Sequence, residues 1–113
     1  MVVTEVADHN FEAEILQSDL MVFACFTASW CGSCFPACMS ANSLAREYDQ
    51  RIKFVRCDIE RCAKMAERYE VGVFPTVILF QNSMMVKKLV GFKEKHHLRR
   101  LLESYLTVSA TDC

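Results

Sequence analysis

The stretch that most restricts the fold is a short apolar run, LMVFACFT at residues 20–27. A run of this length and composition is typical of a strand that is buried on both faces, and such a strand needs covering layers above and below its sheet. The run is also far shorter than the roughly 20 apolar residues of a membrane-spanning helix. We therefore expect a central strand here and no membrane span.

Strand-like and helix-like segments alternate along the chain. The sequence predicts strands at residues 2–6, 20–27, 52–58, 73–80 and 84–90, and helices at residues 8–18, 33–49, 60–70 and 93–106. This order is typical of an α/β domain with a central mixed, mostly parallel sheet of about five strands, which ends in an antiparallel hairpin and is flanked by about four helices. We expect a single domain over residues 1–107 and a short tail over residues 108–113.

Composition and charge exclude several classes of function. The 113 residues are 52% hydrophobic, which is enough for one core. Thirteen Lys and Arg residues against fourteen Asp and Glu residues leave no overall field that would recruit nucleic acid. The first basic residue is Arg46, so the chain begins without the basic region of a secretory signal, and we expect a cytoplasmic protein.

Three of the seven cysteines lie within eight positions, in the segment SWCGSCFPAC at residues 29–38. Cys31 follows the buried strand at the point where a helix is predicted to begin, and the unpaired amides and dipole of a helix start favour a thiolate. Cys34 lies one helical turn later, so the two sulfurs can close a small disulfide and reopen it by exchange. We expect Cys31 to attack and Cys34 to resolve.

Three motifs together resemble the thioredoxin family: WCGSC at residues 30–34, FPT at 74–76 and VG at 90–91. The resemblance implies the thioredoxin fold and a protein disulfide reductase that cycles between a dithiol and a disulfide. It also implies no cofactor or metal, protein disulfides as substrates, a thioredoxin reductase as electron donor, and a monomer.

The resemblance further implies a cis Phe74–Pro75 peptide packed against the sulfurs, and a shallow apolar groove in which a substrate backbone lies extended. The residues expected to bind substrate are Trp30, Gly32, Ser33, Ile59, Phe74, Pro75 and Gly91. Without the resemblance, Ile59 and Phe74 would be predicted as ordinary core residues.

Four positions depart from the family pattern. Cys25 stands where thioredoxins usually have a buried Asp, and Arg56 where they have a Lys; a neutral thiol cannot replace the carboxylate as a base. Ser33 replaces the usual Pro of the active-site turn, and its hydroxyl can donate to a thiolate. Met39 replaces a helix-kinking Pro, so we expect a straighter helix.

The remaining cysteines leave alternatives open. Cys38 is expected to be a small buried hydrophobe, but it can also compete for a disulfide or complete a three-thiolate cluster with Cys31 and Cys34. Cys57 and Cys62 can form an accessory redox pair, and Cys62 matches an extra cysteine of mammalian thioredoxins. Cys113 is expected to be exposed in the tail.

Two other functions remain possible on the sequence alone. One is a metal or iron–sulfur module that uses Cys31, Cys34 and Cys38. The other is a thioredoxin-like binding domain with weak turnover, which the substitution at Cys25 suggests. The histidines are not expected to be ligands, because all three, at positions 9, 96 and 97, are predicted on helix surfaces or ends.

Overall fold

The computed structural model describes residues 3–111, with side chains described for residues 3–106. Five strands form one sheet: β1 (Val3–Val6), β2 (Met21–Thr27), β3 (Ile52–Asp58), β4 (Thr76–Gln81) and β5 (Met84–Val90). Three α-helices, α1 (Cys34–Glu47), α2 (Ala63–Arg68) and α3 (Lys95–Thr111), accompany an irregular helical segment at residues 8–16. The α/β architecture expected from the sequence is confirmed.

The sheet is mixed, with the strand order β1-β3-β2-β4-β5. β1 and β2 both run parallel to β3, whereas β4 is antiparallel to β2 and to β5. The β4–β5 hairpin turns at Asn82 and Ser83, which have φ angles of 54° and 68°. Two positive φ angles are typical of a type I′ turn, whose twist matches that of the flanking strands.

A hydrophobic cluster covers each face of the sheet, and β2 contributes to both because all seven of its residues are buried. Phe23 and Cys25 pack with residues of α1 and α3 on one face. Ala24 and Phe26 pack on the other face with the N-terminal helical segment and α2. The expectation that residues 20–27 form a strand buried on both faces is therefore correct.

The regular helix predicted at residues 8–18 is wrong. The chain forms a 3₁₀ turn at Asp8–Asn10 and a π-helical turn at Glu12–Leu16. The Asp8 carboxylate accepts hydrogen bonds from the amides of Lys64 and Met65, both at 3.1 Å, so this side chain caps the start of α2. The Asp8 side chain is therefore used in a tertiary contact with a helix that lies far along the chain.

The other boundaries agree with the predicted elements to within a few residues. β4 begins at Thr76, directly after Pro75, and α2 is shorter than predicted. α3 continues past residue 107 to Thr111, so the boundary between domain and tail stays a prediction, and Cys113 lies outside the described residues. Among residues 3–111, no helix is long and apolar enough to cross a membrane.

The two edges of the sheet differ. β1 forms one edge and is four residues long. β5 forms the other; its pairing with β4 is interrupted by a register shift at Leu79 and Phe80, and it carries Lys87 and Lys88 side by side.

Candidate active site

The candidate site lies where β2 turns into α1. β2 ends at Thr27, and the Cys31 amide donates to the Ala28 carbonyl at 3.2 Å, which tightens the turn. Cys34 is the first residue of α1, and Pro36 falls within the first helical turn, where its missing N–H costs little. Cys31 and Cys34 are joined by a disulfide with their Cα atoms 5.4 Å apart.

The two sulfurs of this pair have different surroundings. Cys31 is half-buried beside the exposed Gly32 and Ser33, whereas Cys34 is only 5% exposed. The Ser33 Oγ lies 3.7 Å from the Cys31 Sγ, and the Phe74 carbonyl oxygen lies 3.3 Å from the same sulfur. Cys31 is therefore the more accessible sulfur and the one with polar neighbours.

An apolar surface borders Cys31 on the side of β4. The Trp30 ring is 73% exposed and packs edge-to-face against Phe74, with centroids 5.5 Å apart. Phe74 and Ile59 are half-buried and pack against the core, so the sequence-based expectation of core positions for them holds in part. The Phe74–Pro75 peptide is cis, as the family resemblance implied.

Gly91 lies next to this surface, and its amide donates to the Pro75 carbonyl at 2.8 Å. Its φ angle of 87° lies in the left-handed region, where glycine avoids the strain that a Cβ causes. The structure thus gathers the predicted substrate-binding residues around the disulfide. Their role in binding stays a prediction.

A groove that the sequence did not predict lies on the other flank of the disulfide, between α1 and β3. Its volume is about 460 Å³, and its lining includes Phe35, Met39, Asn42 and Arg56. Phe35 is 73% exposed and Met39 is 56% exposed. Two apolar residues one turn apart, directly after Cys34, are the sequence signal that was missed.

Cys25 lies in β2, lines a small cavity with Cys38 and Arg56, and is 2% exposed. Burial raises its pKa to about 12; the charge of Cys38 acts in the same direction, and Arg56 opposes both. The thiol is therefore neutral near pH 7, in agreement with the expectation that it cannot replace a carboxylate base.

The Arg56 side chain interacts with two residues. Its Nη2 atom lies 3.0 Å from the Glu5 Oε1 atom, and the guanidinium also interacts with Cys38. Burial lowers the pKa of Arg56, but hydrogen bonds and charges from Glu5 and Cys38 outweigh this effect and raise it. The Nε atom of Arg56 is buried and has no hydrogen-bond partner among the side chains described for residues 3–106.

Cys57 and Cys62 are adjacent free thiols, and both are fully buried. The Cys62 thiol donates to the Val6 carbonyl at 2.9 Å. Interaction with Cys62, together with burial, raises the pKa of Cys57. The thiols are close enough to interact, but their use as an accessory redox pair stays a prediction.

The metal alternative finds no support in the geometry. Within residues 3–106, no group of three or more His, Cys, Asp or Glu side chains is arranged to hold a metal ion. The three histidines are exposed, and the Nδ1 atom of His96 lies 3.4 Å from Glu94.

Comparison with known proteins agrees with the geometry of the site. The thioredoxin family model matches residues 2–104. Thioredoxin 1 of Nostoc sp. is 31% identical over 102 residues, which cover 90% of this chain and 95% of that protein. A thioredoxin of Staphylococcus epidermidis is 32% identical over 106 residues, which cover 94% of this chain and all of that protein.

A bifunctional thioredoxin reductase/thioredoxin of Mycobacterium leprae is 35% identical over 99 residues, which cover 88% of this chain and 22% of that protein. These matches cover the disulfide, the strand that precedes it and the cis-proline. The chain therefore belongs to the thioredoxin family, and it is a thiol-disulfide oxidoreductase that acts on protein disulfides.

Proposed function

We propose that Cys31 is the attacking thiol and Cys34 the resolving thiol of this oxidoreductase. The observation that carries the assignment is the difference in exposure, since Cys31 is half-buried at an open edge and Cys34 is 5% exposed inside α1. The attacking sulfur must reach a disulfide on another protein, whereas the resolving sulfur needs to reach only Cys31.

The reaction proceeds by two exchanges. The Cys31 thiolate attacks one sulfur of a substrate disulfide, a mixed disulfide forms, and the other substrate sulfur leaves as a thiolate that takes up a proton. The Cys34 thiol then loses its proton and attacks the Cys31 sulfur, so that the remaining substrate sulfur is released. Two electrons pass to the substrate, and the Cys31–Cys34 disulfide is formed.

The substrate backbone lies extended across the apolar surface beside Cys31. Support comes from the exposed Trp30 ring against Phe74, which offers a flat apolar contact next to the reacting sulfur. The residues proposed to contact substrate are Trp30, Gly32, Ser33, Ile59, Phe74, Pro75 and Gly91.

A thioredoxin reductase is the proposed electron donor, and a monomer is the proposed working form. Support for the donor comes from the Mycobacterium leprae relative, whose name gives a reductase and a thioredoxin in one protein. The proposed compartment is the cytoplasm, because Cys25, Cys38, Cys57 and Cys62 are free thiols, which a reducing environment preserves.

Trapping of the mixed disulfide tests the assignment. A Cys34→Ser variant, mixed with oxidised insulin, should accumulate a covalent insulin adduct at Cys31 that dithiothreitol releases. The matched Cys31→Ser variant should form no adduct. An adduct that forms at Cys34 in the Cys31→Ser variant, with none at Cys31 in its counterpart, would reverse the two roles. Insulin turnover that stays slow with a reductase present would favour the binding-domain alternative.

A further inference from the structure

Cys38 lies one helical turn after the active disulfide and lines the same groove. It follows Cys34 by four residues in α1, a spacing that places two side chains next to each other on one helix face. Both residues line the open groove between α1 and β3.

Cys38 also faces Cys25. The two cysteines, together with Ala41 and Arg56, line a small inner cavity of about 10 Å³. The charge of Cys38 acts on the Cys25 thiol, second only to burial. Cys38 therefore links the open groove to a second, fully enclosed thiol.

Arg56 provides the positive charge that this pair needs. Its side chain interacts with Cys38 and lines both the groove and the inner cavity. Its buried Nε is an unused donor among the side chains described for residues 3–106. A guanidinium beside a sulfur stabilises the negative charge that the sulfur carries while it attacks a disulfide.

We propose that Cys25 and Cys38 form a second dithiol that re-reduces the Cys31–Cys34 disulfide inside the same molecule. This inference rests on the proposed attack by Cys31. The fully reduced protein then holds four electrons for substrates instead of two.

The transfer consists of two exchanges. The Cys38 thiolate attacks the Cys34 sulfur, a Cys34–Cys38 bond forms, and Cys31 leaves as a thiolate. Cys25 then gives its proton to the departing Cys34 sulfur as it attacks the Cys38 sulfur, so that a Cys25–Cys38 bond forms and Cys34 is released as a thiol. Two electrons pass from the inner pair to the outer pair, and the substrate disulfide is the only oxidant.

Counting substrate turnovers tests the proposal. The full chain is reduced with dithiothreitol, freed of reductant under argon, and mixed with an excess of a peptide that contains one disulfide. Reduced peptide per chain is then measured after acid quenching. The parent should reduce two peptides per chain, and Cys38→Ala and Cys25→Ala should each stop at one. Circular dichroism checks that both variants are folded.

Three further variants test the count and its rate. Cys57→Ala should still reduce two peptides, because its thiol belongs to neither pair. Arg56→Gln should slow the second reduction by about tenfold, because it removes the positive charge beside the attacking Cys38 sulfur, and Arg56→Lys should restore most of the rate.

The position of the final disulfide provides an independent readout. Chymotrypsin cleaves after Phe26 and Trp30, so it separates Cys25 from the peptide that contains Cys31, Cys34 and Cys38. Oxidised parent should yield these two peptides linked, and fragmentation should assign the link to Cys38.

A parent that reduces one peptide per chain would overturn the second pair and leave the attack by Cys31 intact. A second reduction that persists in Cys38→Ala, or that is lost in Cys57→Ala, would also overturn it. A parent that reduces none would refute the attack by Cys31 itself.

Discussion

Two strand–turn–helix units of the protein each carry a pair of cysteines. The two pairs occupy similar positions in their units but differ in exposure and in bonding. β2 leads into α1 through Cys31 and Cys34, and the neighbouring parallel strand β3 leads into α2 through Cys57 and Cys62. The first pair forms a disulfide at the surface, whereas both thiols of the second are fully buried, and Cys62 donates to the Val6 carbonyl.

The hydrogen bond with Cys57 lowers the pKa of Cys62 at the start of α2, yet this thiol is fully buried, so a helix start does not by itself place a cysteine where a substrate can reach it. Cys57 lies within the strand and faces the core, and its pKa is raised by its contact with Cys62 and by burial. Cys31 lies outside both the strand and the helix, in a turn with exposed neighbours. Access and hydrogen bonding separate the redox pair from the packed pair.

The largest expected effect is the loss of activity when Cys31 is removed, compared with the removal of Cys57 from the buried pair. Cys31→Ser should lower kcat/KM for insulin reduction by at least about 10³-fold, because the substitution removes the nucleophile itself. Cys57→Ala should keep kcat/KM in the parental range while it lowers the urea midpoint, since it opens a small cavity in the core. A comparable loss of activity in both variants would contradict the conclusion that only the first pair takes part in the reaction.

The rate of alkylation should differ between the thiols of the two pairs. In the fully reduced native protein, iodoacetamide should modify Cys31 at least about 10²-fold faster than Cys57 or Cys62, because buried thiols react only through opening of the structure. In denaturant the rates should converge. Mass spectrometry after timed quenching gives each rate, and a fastest thiol at Cys62 or Cys113 would refute the assignment of Cys31.

A buried thiol whose pKa is raised should make the reduced protein less stable at high pH, and Cys25 is such a thiol. Its folded pKa is about 12 against 9.0 for an unperturbed thiol. Its contribution to the free energy of unfolding is therefore complete below pH 9 and declines as the pH rises toward 12, with a slope of at most about 1.4 kcal/mol per pH unit.

Urea midpoints of parent and Cys25→Ala between pH 8 and pH 11 measure this decline. The gap between the two proteins should shrink above pH 9. Tyr48 also has a pKa of about 12, raised by burial and by Glu103, but it contributes equally to both proteins. A gap that stays constant would mean that Cys25 does not titrate as a buried thiol.

The smallest expected effect concerns the hydroxyl beside Cys31. Ser33→Pro removes a donor 3.7 Å from the sulfur and stiffens the turn, so the pair should become more reducing. The shift should be tens of millivolts, where about 30 mV corresponds to about 1.4 kcal/mol for a two-electron couple. Redox titration against glutathione measures it, and Ser33→Ala separates the hydroxyl from the stiffness. An unchanged or less negative potential in Ser33→Pro would contradict this role of the hydroxyl.

The sequence was most informative where local pattern decides structure. The apolar run of β2 and the alternation of elements predicted the sheet, and Gly91 was correctly predicted to end the hairpin strand. The turn at Cys31 was predictable because strand, glycine and helix-forming residues follow each other within a few positions. These features depend on neighbours in the chain.

Features that depend on distant contacts were not predictable. Asp8 caps α2, more than fifty residues away, and so the expected N-terminal helix does not form as a regular one. The meeting of Cys25, Cys38 and Arg56 joins β2, α1 and β3 in three dimensions. No spacing along the chain indicates how close these three side chains lie.

Strand β5 forms a free edge of the sheet, and a free edge matters for a protein that acts on other polypeptides. A protein that receives disulfide-bearing polypeptides in extended form meets exposed strands, and a free sheet edge is a template on which such strands add. A lysine on the edge strand and a break in the ladder are devices by which sheets resist strand addition, and Lys87 and the register shift at Leu79 and Phe80 provide both. We therefore expect the outer edge of β5 to resist the addition of a substrate strand.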